Sequence, residues 1–83
     1  MARILLFASI KDRAGTGRID VPLTAPTPLR AVLAKAAAAA GIEEGILSRG
    51  CALFAVNQET VPLDHLVNDG DEVALLPPMS GGR

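Results

Sequence analysis

The sequence predicts an α+β domain in which a mixed sheet packs on one main helix. Three observations carry this expectation. Apolar segments rich in β-formers stand near both ends of the chain, at Ile4 to Ile10 and Glu72 to Leu76. A cleanly alternating segment, Arg18 to Leu23, follows a glycine turn. A single long stretch, Thr27 to Ala40, has the period of a helix with one apolar face. One such face covers only one side of a sheet, which gives two layers. With 83 residues there is room for one core and no second domain.

In chain order, Ile4 to Ile10 places Ile4, Leu6 and Ala8 on one face and Leu5 and Phe7 on the other. Apolar residues on both faces predict a central strand. Gly15-Thr16-Gly17 predicts a turn, and Arg18 to Leu23 then turns Ile19, Val21 and Leu23 inward. That is an antiparallel hairpin partner, which Pro22 assigns to an edge. For the helix, Thr27 is the expected N-cap and Pro28 the first helical residue. Leu29, Val32, Leu33, Ala36 and Ala40 share its apolar face, with Ala31, Ala34, Lys35 and Ala38 opposite and Gly41 ending it. Ile42 to Gly50 is expected to connect, with room for one helical turn. Ala52 to Val56 reads as a buried strand ending at Asn57-Gln58, Thr60-Val61 as a short one, and Pro62 to Leu66 as irregular chain. Asn68-Asp69-Gly70-Asp71 is a turn. Glu72 to Leu76 closes the sheet, with Val73 and Leu75 on one face and Ala74 and Leu76 on the other. This order of elements fits the β-grasp, or ubiquitin-like, arrangement. Residues 1–76 form the domain and 77–83 an extended tail.

Composition narrows the function. Hydrophobic residues make up 49% of the chain with two Phe and no Trp or Tyr, so aliphatic packing fills the core. Eight basic and nine acidic residues give a net charge of −1, with no basic stripe interleaved with aromatics to hold nucleic acid. A single cysteine, Cys51, excludes an internal disulfide and fits a reducing compartment. Met1-Ala2-Arg3 before Ile4 to Ile10 has the order of a signal peptide. Its apolar stretch is short, however, Lys11-Asp12-Arg13 follows at once, and no small-x-small cleavage site is present. No run approaches the ~18 apolar residues of a membrane span. A soluble cytoplasmic domain is expected.

Catalytic and metal constellations are almost missing. Cys51 and His65 are single and far apart, and no second His or Cys completes a zinc site. Asp69-Gly70-Asp71-Glu72 has its glycine misplaced for a calcium loop. Gly15-Thr16-Gly17 lacks the third glycine of a dinucleotide fingerprint. What remains usable is the end of the chain. In Pro77-Pro78-Met79-Ser80-Gly81-Gly82, two prolines stiffen the exit from the last strand, and two glycines remove side-chain bulk. Six extended residues reach roughly 20 Å. Such a tail is either an ordinary frayed terminus or a thin arm that carries a carboxylate into another protein's active site.

Several stretches together resemble a known family. They are Leu5-Leu6-Phe7-Ala8, Ala55-Val56-Asn57-Gln58, and Asp69-Gly70-Asp71-Glu72-Val73-Ala74-Leu75-Leu76-Pro77-Pro78 running to Gly81-Gly82. On these residues the chain is similar, over essentially its whole length, to the MoaD/ThiS-like sulfur carriers, and nearest to their molybdopterin-synthase branch. The resemblance implies a carrier subunit that is not an enzyme alone and binds no cofactor. Its terminal glycine passes through an adenylate and a thiocarboxylate. By this resemblance Gly82 bears the sulfur and Gly81 gives it access. Phe7, Leu76, Pro77, Pro78 and Met79 meet the partner, with ordinary core packing the alternative for Phe7 and Leu76. The implied partners are an E1-like adenylating enzyme, a sulfur donor, and the MoaE-like large subunit of molybdopterin synthase in a heterotetramer, with no nucleic acid or membrane. Arg83 departs from the family pattern, because an internal Gly82 has no free carboxylate. Trimming, an added residue and loss of the carrier role each explain it. A carrier for thiamin thiazole synthesis and a ubiquitin-like modifier or binding module are the alternative functions.

Overall fold

A computed structural model describes residues 1–49 and 53–76. The tail, residues 77–83, and Cys51 lie outside the described residues. Among the described residues seven strands and three helices form in the order β1 (Ala2–Leu6), α1 (Ala8–Ala14), β2 (Arg18–Val21), β3 (Thr27–Pro28), α2 (Leu29–Ala40), α3 (Glu44–Arg49), β4 (Leu53–Val56), β5 (Glu59–Thr60), β6 (Leu66–Val67) and β7 (Glu72–Leu76). The main sheet runs β2-β1-β7-β4-β5, and β3 pairs with β6 in a separate two-stranded ribbon. At its centre β1 lies parallel to β7, pairing Ile4 with Val73 and Leu6 with Leu75. Its other neighbour, β2, is antiparallel. This is the expected mixed sheet of a β-grasp domain.

The core lies between the sheet and α2. Ile4, Leu6, Val73 and Leu75 point from the two central strands, and Leu29, Val32, Leu33 and Ala36 meet them from the helix, all at most 2% exposed. Alanine at Ala36 and Ala37 keeps the helix close to the sheet, where a larger side chain would hold it off. Gly41 ends α2 at φ +70°, a conformation that favours glycine, and the Gly41 and Ile42 N–H groups donate to the carbonyls of the last turn.

Four local expectations are corrected. The first strand stops at Leu6, and Ala8 to Ala14 is a helix. Phe7 O accepts from the Ile10 and Lys11 N–H groups, and Gly15 caps the helix with its N–H on Lys11 O. Ile10, 1% exposed, is therefore buried from a helix and not from a strand. Lys11 and Arg13 in the last turn also suit the negative end of the helix dipole. The second correction is at α2, where Pro28 and not Thr27 holds the cap position, and Thr27 Oγ1 donates to Ala25 O instead. The first free N–H groups of the helix, on Leu29 and Arg30, donate to His65 O and Leu63 O at 2.8 and 3.0 Å. Backbone brought from the later loop replaces a side-chain cap. Third, the short strand after Asn57-Gln58 is Glu59–Thr60, one residue earlier than expected. Fourth, Leu66 is not irregular chain but pairs with Pro28.

Candidate functional site: the open face of the sheet

The face of the sheet turned away from α2 has no element over it among the described residues. Alternation along each strand decides what it displays. Leu5 lies opposite Arg18 on one side and Ala74 on the other, and Ala74 lies opposite Ala55. Next to this row, Leu76 at the end of β7 pairs with Leu53 of β4. Phe7 follows β1 at the same end of the sheet. Phe7 is 44% exposed and Leu53 48%, while Leu5, Ala74 and Leu76 are half-buried. The result is an apolar patch at the end of the sheet where β7 leads into residue 77.

The opposite end of the same face is ionic. Arg3 and Glu72 lie side by side on β1 and β7, with an N–O distance of 3.6 Å. Arg18 Nε meets Asp20 Oδ1 at 3.1 Å along β2, and a second bond joins Nη2 to Oδ2 at 3.2 Å. This hydrogen-bonded guanidinium holds the Asp20 carboxyl below its ordinary value, and the carboxylate raises Arg18. The face thus runs from an apolar end to a charged end of Arg3, Asp20 and Glu72, with Arg18 beside Leu5 on the edge strand and paired to Asp20. All four charged groups are exposed to solvent to a third or more, so the pairs add little stability and act mainly as a wet border to the patch.

The expected partner residues divide at the last described position. Phe7 and Leu76 share the open face, and the structure leaves Phe7 out of the core. Pro77, Pro78, Met79, Gly81 and Gly82 fall outside the described residues. Leu53 and Leu5 belong to the patch as well. Reading 52–56 as a buried strand hid Leu53, because the segment is apolar at every position. Its antiparallel register with Leu76 turns it outward, whereas Phe54 and Val56 face the helix.

The Val-Asn-Gln and Asp-Gly-Asp-Glu stretches meet at the other end of the sheet. Glu72 to Leu76 spans about 13 Å at about 3.3 Å per residue, so these turns stand well away from Leu76. Asn57 Nδ2 donates to Asp71 Oδ1 at 3.0 Å, and Asn57 Oδ1 accepts from Glu72 N–H at 3.0 Å. Asp71 Oδ2 accepts from Asn68 N–H at 2.8 Å, and Asp71 O accepts from Arg3 N–H at 2.9 Å. The two turns and β1 are therefore tied together by one Asn-Asp pair. These residues hold the sheet together and touch nothing at the apolar patch. His65, the other singled-out side chain, is exposed on the loop that caps α2. Among the described residues no group of three or more His, Cys, Asp or Glu side chains is placed to hold a metal ion, and no helix is long and apolar enough to cross a membrane.

Comparison with known proteins places this architecture. The ThiS family model matches residues 4–82. The chain belongs to the ThiS family. As a ThiS-family chain it is 39% identical over 82 residues to the molybdopterin synthase sulfur carrier subunit of Escherichia coli, covering 99% of this chain and 100% of that one. The subunit of the same name from Chlamydomonas reinhardtii is 37% identical, with 96% of each chain covered. Among solved structures, SAMP1 from Haloferax volcanii superposes with a TM-score of 0.79 at 26% identity, with 98% of each chain covered. A chain in the complex of subunits 1 and 2 of the molybdopterin-converting factor from Helicobacter pylori gives 0.61 at 25% identity, covering 98% of this chain and 97% of that one. The ThiS-family fold, the ubiquitin-like β-grasp, agrees with the sheet order found here. The relatives' names describe carrier subunits, in agreement with the reading of a ThiS-family chain that carries a group and is not an enzyme by itself.

Proposed function

We propose that this chain is the sulfur-carrier subunit of a molybdopterin synthase and that Gly82 bears the sulfur. The observation that carries the proposal is the uncovered apolar patch of Phe7, Leu53 and Leu76 at the end of the sheet that leads to Gly81-Gly82. A patch of this kind marks a protein interface. Its position lets one docking event seat the domain and direct the tail into the partner. The full-length relatives named sulfur carrier subunits support the same reading.

In this reading the Gly82 carboxylate attacks the α-phosphate of ATP in an E1-like enzyme, and pyrophosphate leaves. A sulfur donor then displaces AMP from the glycyl adenylate and leaves a thiocarboxylate. Phe7, Leu53 and Leu76 dock on the MoaE-like large subunit in a cytoplasmic heterotetramer, with Pro77, Pro78 and Met79 extending the contact. The thiocarboxylate supplies sulfur there for the dithiolene of molybdopterin. The reading requires a free carboxylate at Gly82. Hydrolysis of the Gly82–Arg83 peptide bond supplies it, and the family match, which runs to residue 82, is in keeping with that.

Intact-mass measurement tests the proposal. Incubation of the chain ending at Gly82 with the activating enzyme, ATP and a sulfur source should yield a species that has exchanged one carboxylate oxygen for sulfur. No such species, where a control carrier is charged, refutes it. The likeness to SAMP1, named elsewhere as a small archaeal modifier protein, favours a second reading as a protein modifier. A Gly-Gly remnant on lysines of other proteins after proteolysis distinguishes that reading.

A further inference from the structure

The edge strand β2 bounds a groove of about 390 Å³, with Thr16, Arg18 and Asp20 on one wall and Ala39 and Ala40 at the end of α2 on the other. Grooves beside an edge strand ordinarily invite strand addition, because the outer N–H and C=O groups are unpaired. The β1–β2 ladder shows which groups those are. Leu6 N–H donates to Gly17 O at 3.0 Å, and the register places Ile4 opposite Ile19 and Ala2 opposite Val21. Bonded and non-bonded pairs alternate along an antiparallel ladder. Gly17, Ile19 and Val21 therefore bond to β1, and Arg18 and Asp20 turn their peptide groups to the open edge.

The outward groups of Arg18 are already occupied. Thr16 Oγ1 donates to Arg18 O at 3.0 Å and accepts from Arg18 N–H at 3.3 Å. One hydroxyl satisfies both, as an incoming strand would. Pro22, just past the strand, has no N–H, so Asp20 alone keeps its outward pair. We propose that the Thr16 hydroxyl locks this edge and that the strand it keeps out is β2 of a second copy of the chain. Two β2 strands running antiparallel about Ile19 set Arg18 of each copy opposite Asp20 of the other. Their outward peptide groups then align for four hydrogen bonds, and their side chains have opposite charges. Self-pairing is complementary in both respects, and the lock is what prevents it. This inference concerns a different surface from the apolar patch and does not depend on the sulfur-carrier reading.

The test uses the full chain with Thr16→Val and Thr16→Ala, which remove the hydroxyl, and Thr16→Ser, which keeps it. Sedimentation velocity over a concentration series is read together with amide exchange at Arg18 and Asp20. Wild type and Thr16→Ser should remain monomeric. When dilute, Thr16→Val should exchange the Arg18 amide about fivefold faster, as loss of one hydrogen bond implies. When concentrated, both hydroxyl-free variants should dimerise, with the Arg18 and Asp20 amides newly protected. Monomers at every concentration overturn the proposal, as does dimerisation without protection at those two amides. If wild type itself dimerises through β2, there is no lock. If both hydroxyl-free variants fail to fold, Thr16 is a folding determinant and the proposal falls.

Discussion

Replacing Asn57 by alanine should destabilise the domain substantially while leaving the apolar patch of Phe7, Leu53 and Leu76 intact. Two hydrogen bonds are lost, Nδ2 to Asp71 Oδ1 and Glu72 N–H to Oδ1, each 3.0 Å. Both are on the surface, so water takes over part of each, and a net of about 0.5–1 kcal/mol apiece is appropriate. Asn57 also sits at φ +51° and Gln58 at φ +72°. These are the left-handed angles of a two-residue hairpin turn, at which asparagine is favoured. An alanine there costs about another 1 kcal/mol. The expected loss is thus about 2–3 kcal/mol, a large share of the roughly 5–15 kcal/mol of a typical domain. At about 4–8 °C per kcal/mol for a chain of this size, the melting temperature should fall by at least about 8 °C. Asn57→Gly relaxes the backbone but also loses both bonds, so it should fall between wild type and Asn57→Ala. Thermal unfolding followed by circular dichroism measures all three. Below its melting temperature, Asn57→Ala should still be charged by the activating enzyme. A melting temperature within a degree or two of wild type would refute the structural role given to this Asn-Asp pair. Normal stability with lost charging would move the residue into the functional site.

Four further outcomes are expected. Leu75 and Leu76 are neighbours on opposite faces: Leu75→Ala should cost about 2–5 kcal/mol in chemical denaturation, whereas Leu76→Ala should cost less than about 1.5 kcal/mol and mainly weaken binding to the large subunit. Phe7→Ala with Leu53→Ser should leave the melting temperature nearly unchanged and weaken that binding by about 2 kcal/mol or more in calorimetry, as loss of buried anchors does; unchanged affinity would remove the patch from the interface. Ala8 holds φ +49° at the start of α1, so Ala8→Gly should stabilise by about 0.5–1 kcal/mol, the relief of left-handed strain exceeding the entropy glycine adds to the unfolded chain. Asp20 is more acidic in the folded state than the ordinary aspartate of about 3.9, because Arg18 hydrogen-bonds its charged form. Its contribution is therefore present above that value and is lost as pH falls through the lower folded-state one, and Asp20→Asn should remove that part of the acid dependence in a pH series of denaturant midpoints.

Much of this architecture was legible without coordinates. The alternation of Ile19, Val21 and Leu23, the helical period of Leu29, Val32, Leu33 and Ala36, and the bounds of Glu72 to Leu76 each follow from local periodicity, and all of those residues are buried or placed as expected. The open face was legible in part, since Phe7 and Leu76 alternate with core residues. Leu53 was not, because an apolar run has no phase of its own and its partner strand must supply one. Ala8 to Ile10 reads as strand in the sequence because Ile10 continues the preceding apolar run. What makes it helical is a cap by Gly15 and the burial of Ile10 in the core. The α2 cap was equally hidden, for its acceptors lie on a loop more than thirty residues later.

The sequence alone determined the class of the domain, the phase of its strongest strands and helix, and the family. Those properties are written in side-chain period, turn residues and motif, which are local. Only the tertiary structure decided which motif residues are structural. It brought Asn57 to Asp71 across fourteen positions and placed Phe7, Leu53 and Leu76 on one patch. It also put the Thr16 hydroxyl on the free edge of β2. Each of these depends on strand register, and register is a relation between distant segments that neither segment contains by itself.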